Sequence, residues 1–224
     1  MTTITCRAVL FDLDGVLADS TAIVDRVWRA WADERGLDGA AIMKTAHGRP
    51  AAEVISAAAP HLSAEAEVEL LEKREADDDK GVVAIAGSSE LVASLPDRSW
   101  AVVTSGTTPL ASSRLVAIAL PDPPVLITAN DVDRGKPNPE GYLAAARRLG
   151  ASPRDCVVIE ESPAGIEAGG VAGMAVIGVT TTYAAEELTG VDVLVDTLAA
   201  VTLARVTNRD DGPPELELAI EKRE

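Results

Sequence analysis

Along most of this chain, short continuous apolar runs alternate with stripes of apolar residues at helical spacing. The runs predict strands at 2–11, 99–104, 125–128, 155–160, 174–179 and 191–195, and the stripes predict helices at 88–95, 108–119, 139–149 and 163–172. Continuous apolar strands that alternate with helices imply an α/β fold, a parallel sheet with helices on both faces. One block interrupts the alternation. A first helix at 20–35 carries Ile23, Val24, Val27, Trp28 and Trp31 on one stripe, with Ser20 or Thr21 as its N-cap and Gly36 at its end. Helical patterns at 40–45, 51–59 and 63–79 follow with no strand between them. Residues 19–81 are therefore expected to form an inserted all-helical domain, hinged at both junctions to a sheet domain made of 1–18 and 82–200. In the tail, 201–224, extended stretches at 203–207 and 215–220 flank Asp211-Gly212-Pro213-Pro214 and predict a terminal β-hairpin. The tryptophan pair reads as packing, and the acidic run 72–79 as a solvated helix face.

Composition narrows the partners. With 224 residues, 47% of them apolar, the chain can build a proper core as one large domain or one domain with a modest insertion. A formal charge of −16 argues against nucleic-acid and anionic-membrane partners, which call for a basic face. No apolar run approaches a membrane span, and no basic-then-apolar leader opens the chain, so cytoplasm is the expected compartment. Cys6 and Cys156, far apart, read as small buried hydrophobes rather than a disulfide or thiolate metal site. The pattern is compatible with a monomer.

The candidate chemistry lies where predicted strands end. Asp12 and Asp14 stand two residues apart at the end of the first strand, and Gly15 allows a sharp bend just after them. Like charges so close are costly unless a cation shares them or a pKa shifts. Val103-Thr104-Ser105-Gly106 ends another strand with two hydroxyls before a helix start, where free backbone N–H groups suit a phosphate. Lys136 sits between a glycine and a proline, and Glu160-Glu161-Ser162-Pro163-Ala164-Gly165 places two acids at a further strand end. Together they supply a nucleophile, a proton carrier, ligands for a divalent cation and a countercharge, the set that phosphoryl transfer requires.

These motifs, Asp12-Leu13-Asp14-Gly15-Val16, Thr104-Ser105-Gly106, Lys136-Pro137 and Glu160 to Gly165, resemble those of the haloacid dehalogenase superfamily, in the branch with a helical cap inserted after the first strand of a Rossmann-like core. The similarity spans nearly the whole chain and is greatest to its sugar and polyol phosphate phosphatases. The resemblance implies that Asp12 is the nucleophile and forms an aspartyl-phosphate, that Asp14 is the general acid and base, and that Thr104, Ser105, Gly106 and Lys136 hold the phosphoryl group. It implies Mg²⁺ as cofactor, held by Asp12, the backbone carbonyl of Asp14, and Glu160 and Glu161. The family usually has aspartate where Glu161 stands, so this ligand can shift, act through a water or yield to Glu160. His47 and Arg49, in a loop of the cap, are the candidates to reach a hydroxyl of a small phosphorylated metabolite. Two alternatives stay open: a β-phosphoglucomutase-like mutase, disfavoured because Val24 aligns with that group's cap histidine, and a non-catalytic phospho-metabolite binder.

Overall fold

The computed structural model describes every residue except 47–50, 79, 211 and 224. In chain order, β1 (Thr2–Cys6), β2 (Ala8–Phe11) and β3 (Ala18–Asp19) lead into four helices, α1 (Thr21–Glu34), α2 (Gly39–Ala46), α3 (Ala51–Ala58) and α4 (Ala64–Asp77). β4 (Val83–Ala84) returns the chain to α5 (Ser88–Ser94), β5 (Trp100–Val103), α6 (Thr108–Ala117), β6 (Leu126–Ile127), α7 (Glu140–Leu149), β7 (Cys156–Glu160), α8 (Pro163–Val171), β8 (Ala175–Val179) and β9 (Val193–Val195). β10 (Val201–Thr207) and β11 (Glu215–Ile220) close the chain.

The six-stranded sheet has the order β6-β5-β2-β7-β8-β9, with every pairing parallel. Its strands are continuous apolar runs because both faces are covered, and successive side chains go to opposite layers. Val9 and Phe11 join the core shared with Trp28, Trp31 and Leu115, whereas Ala8 and Leu10 join the core of Tyr142, Ala145 and Ile166. Sequence order moves from β2 out to β5 and β6 on one side, then resumes on the other side of β2 with β7. That reversal opens a crevice at the carboxyl end of β2, the place where open α/β sheets bind ligands.

The expected first strand is in fact two. Up to Cys6 the burial alternates, and β1 pairs antiparallel with β11, which also pairs with β10; beyond Arg7 the residues are all buried and belong to the parallel sheet. The predicted terminal hairpin is therefore present, and it recruits the N-terminus as a third strand.

Helices α1 to α4 form the inserted all-helical cap. Trp28 and Trp31 pack edge to face within α1, ring centroids 5.8 Å apart, and the Trp31 indole donates to Glu67 of α4 at 2.6 Å. Arg74 of α4 forks onto Glu34 of α1 at 3.0 and 2.8 Å. Ser63 caps α4 by accepting from the Ala66 N–H, a contact typically worth about 1 kcal/mol. The two crossings into and out of the cap pair with each other as an antiparallel ribbon, Ala18 opposite Ala84 and Asp19 opposite Val83. Among the described residues no helix is long and apolar enough to cross a membrane. The acidic run 72–79 is not a uniformly solvated face, because Glu75 is buried.

Candidate active site

Three strand ends and one loop converge at the crevice. Asp12 follows β2 directly and is buried, its N–H donating to the Ile159 carbonyl of the neighbouring β7 at 3.0 Å. Thr104 follows β5, and Glu160 ends β7 with no exposed surface. Lys136, from the loop before α7, reaches both acids: its ammonium pairs with Asp12 Oδ1 and donates to Glu160 Oε1 at 2.6 Å.

Glu160 is satisfied on every side. Its Oε1 also accepts from the Tyr142 hydroxyl at 2.8 Å, and its Oε2 accepts from the Glu161 N–H at 2.9 Å and from the N–H and hydroxyl of Ser162, both at 3.0 Å. Ser162 is the N-cap of α8, so the carboxylate lies at a helix start that favours negative charge. Gly165 makes this possible. A Cβ there would come within 1.7 Å of Glu160 Oε1, so no other residue fits above that carboxylate. Burial alone would raise Glu160, but Lys136 and the donors from Ser162 and Tyr142 hold it below the usual carboxylate value. The same two carboxylates hold Lys136 well above its ordinary value despite burial.

Asp12 and Glu161 behave in the opposite way. Burial pushes Asp12 up to about 7 in spite of Lys136, with Glu160 adding to the rise. Burial and the neighbouring Glu160 and Asp12 push Glu161 well above the carboxylate range. Glu161 Oε2 is buried without a partner, and Asp12, Glu160 and Glu161 each offer an oxygen within 4.8 Å of the others. An orphaned buried oxygen beside two further acids fits a divalent cation. Gly15, at φ +81°, keeps Glu161 in place: a Cβ there would meet Glu161 Cγ at 2.7 Å.

A cleft of about 580 Å³ opens over these groups. Its floor includes Asp12, Asp14, Thr104, Ser105, Gly106, Lys136 and Glu161; its cap wall includes Val24, Trp28, Val68, Leu71 and Glu72. Thr104 is buried and accepts from the Gly106 N–H at 3.1 Å, shaping the loop, while Ser105 is exposed. The N-cap of α6 is Thr107, so Thr104 and Ser105 are not spent on capping. Asp14 is about a third exposed and accepts from Arg114 Nε at 3.1 Å. His47 and Arg49 lie outside the described residues. Tyr142, which donates to Glu160, and Arg114, which donates both to Asp14 and to Glu75 of α4, were missed by sequence reasoning. The signal for Arg114 was a cation on an otherwise apolar stripe with Leu110, Ala111 and Leu115.

A family model described as haloacid dehalogenase-like hydrolase matches residues 6–173. The chain belongs to this family. Hexitol phosphatase A of Escherichia coli is 38% identical over 210 residues, covering 92% of this chain and 97% of that protein. The 2-deoxyglucose-6-phosphate phosphatase 2 of Saccharomyces cerevisiae is 34% identical over 227 residues, covering 91% and 92%. Among solved structures, a putative β-phosphoglucomutase from Thermotoga maritima superposes with a TM-score of 0.66 at 26% identity, covering 86% of this chain and 95% of that one. The haloacid dehalogenase-like core thus carries its cap between β3 and β4.

Proposed function

We propose that this phosphoric monoester hydrolase acts on small sugar or polyol phosphates, with Mg²⁺, through an aspartyl-phosphate on Asp12. The observation that carries the reading is the convergence of Asp12, Lys136 and the orphaned Glu161 oxygen at the floor of one cleft. In the first half-reaction an Asp12 oxygen attacks phosphorus, the P–O bond to the substrate alcohol breaks, and the protonated Asp14 carboxyl gives its proton to the departing alkoxide. In the second, a water attacks the phosphorus of the acyl phosphate, Asp14 takes the water's proton, and Asp12 and phosphate separate. Lys136 lies where it offsets the repulsion between the Asp12 carboxylate and a phosphate dianion, about 4 kcal/mol per unit pair at ~4 Å and an effective dielectric near 20. Thr104 and Ser105 offer donors to the phosphoryl oxygens. Asp12, Glu161 and the Asp14 carbonyl would hold Mg²⁺, with Glu160 behind them fixing Lys136; the bound ion supplies further countercharge to the transferring phosphoryl.

The cap, taken as residues 19–81, supplies the selectivity. Val24, Trp28, Val68 and Leu71 offer an apolar wall, and Glu72 Oε2, buried without a partner, is an acceptor for a substrate hydroxyl. A neutral polyhydroxy alcohol matches that wall better than an anionic one. The names of the hexitol and deoxyglucose phosphatases support the same substrate class. The test is phosphate release from a panel of hexitol, hexose, glycerol and nucleotide phosphates with and without Mg²⁺. Asp12→Asn is expected to abolish turnover while keeping the fold, and full activity in that variant refutes the nucleophile. Glucose 6-phosphate formed from β-glucose 1-phosphate without net phosphate release would instead favour the mutase.

A further inference from the structure

Arg114 of α6 is 1% exposed and sits where the core meets the cap. Its Nε donates to Asp14 Oδ1 at 3.1 Å, and its Nη2 donates to Glu75 Oε2 on α4 at 2.6 Å. Its Nη1 donates to the Glu75 carbonyl at 3.4 Å, and the adjacent Ser113 hydroxyl donates to the Ala76 carbonyl at 3.0 Å. Those carbonyls belong to the last turn of α4, where backbone acceptors lack helical partners and a cation is favoured. The core helix α6 thus caps the end of the cap helix α4, with the same guanidinium that grips Asp14.

Stability alone does not call for this arrangement. Desolvating an arginine and the Glu75 carboxylate is costly, and apolar residues of like volume often hold a seam equally well. What the guanidinium adds is direction. Its planar fork fixes the angle between its donors, so the position of Glu75 sets the orientation of the N–H that Asp14 receives. Burial raises Glu75 to about 7 although Arg114 draws it down, in keeping with a pair withdrawn from water.

We propose that Arg114 is a positioning residue for Asp14, oriented by Glu75 of the cap, so that the proton-transfer geometry is complete only when α4 is seated on α6. The inference rests on the reading of Asp14 as proton carrier. A phosphate ester of an alcohol leaves as a strongly basic alkoxide and needs that proton, whereas p-nitrophenolate leaves without it. The kcat/KM value covers only the steps up to alcohol departure, so the ratio of kcat/KM for glycerol 1-phosphate to that for p-nitrophenyl phosphate reports Asp14 placement.

The experiment compares Arg114→Lys, Glu75→Gln and Asp14→Asn on both substrates in Mg²⁺, with circular dichroism as the fold control. Arg114→Lys keeps the charge but loses the fork, and is expected to lower the alkyl-to-aryl ratio by about 10²-fold, the cost of a misplaced catalytic group. Glu75→Gln, which reaches Asp14 only through Arg114, is expected to lower it in the same direction by about tenfold, with p-nitrophenyl phosphate turnover within about threefold of the parent. If Arg114→Lys does not fold, Glu75→Gln decides. A ratio that falls in Asp14→Asn but is unchanged in the seam variants overturns the inference alone. A ratio unchanged in Asp14→Asn overturns the role of Asp14 and the inference with it.

Discussion

Replacing Lys136 with methionine tests whether the site is as dry as its geometry implies. The ammonium, with its side chain 10% exposed, stands 2.6 Å from the fully buried Glu160 carboxylate and also pairs with Asp12. At an effective dielectric near 20 the Coulomb attraction at that separation is about 6 kcal/mol, offset in the parent by the desolvation of three charges. Methionine has similar length and no charge, so it removes the attraction and leaves the carboxylates desolvated. Breaking a buried pair from one side typically costs about 3–5 kcal/mol. For a chain of this size about 1 kcal/mol shifts Tm by roughly 2–4 °C, so thermal unfolding in EDTA at neutral pH should show a fall of about 6–20 °C. The double variant Lys136→Met/Glu160→Gln removes the stranded charge as well and should recover part of the loss. A fall below about 2 °C in the single variant, equivalent to under about 1 kcal/mol, would mean that water reaches these carboxylates and would refute the reasoning.

Three further outcomes are expected. Mg²⁺ at about a hundred times its dissociation constant should stabilise the parent by about 2.7 kcal/mol, raising Tm by several degrees, and Glu161→Gln should lose most of that shift in a thermal scan. Gly165→Ala puts a Cβ within 1.7 Å of Glu160 Oε1, so the carboxylate that holds Lys136 must move; turnover should fall at least about tenfold, read as kcat in steady-state assays. Burial raises both thiols to about 12, so protons stay bound and at pH 8 only on the order of one in 10⁴ of each is thiolate. Iodoacetamide should therefore leave the native protein unlabelled at pH 8 and modify both cysteines once it is unfolded, as counted by intact mass.

The residues legible in the sequence were those whose chemistry is written locally. Asp12 and Asp14 follow an apolar run and precede a glycine, and Glu160 and Glu161 end another run before a proline-started helix. A parallel sheet between helical layers also followed, because continuous apolar runs alternating with helical stripes leave little choice of sheet, whereas the order of its strands was not written in the pattern. Long-range pairings were not legible. Arg114 meets Asp14 across 100 residues and Glu75 across 39, so Glu75 could not be told from its solvated neighbours on α4. Tyr142 shares the buried face of α7 with Ala145, Ala146 and Leu149, and nothing local marks its hydroxyl as a donor to Glu160. The break at Arg7 was present as a change from alternating to continuous apolar positions, yet both halves suit a strand. The β3–β4 ribbon is too short to leave a pattern, with two residues on each side.

That ribbon has an architectural consequence. Its paired residues lie one strand spacing apart, about 5 Å, so the segment leaves and re-enters the hydrolase at nearly a single point. Any unit with neighbouring termini can be spliced there without stretching the sheet, and a few residues can bridge the gap where none is wanted. The sheet half of the molecule can thus keep its fold while the helical half is exchanged or lengthened as a different metabolite demands.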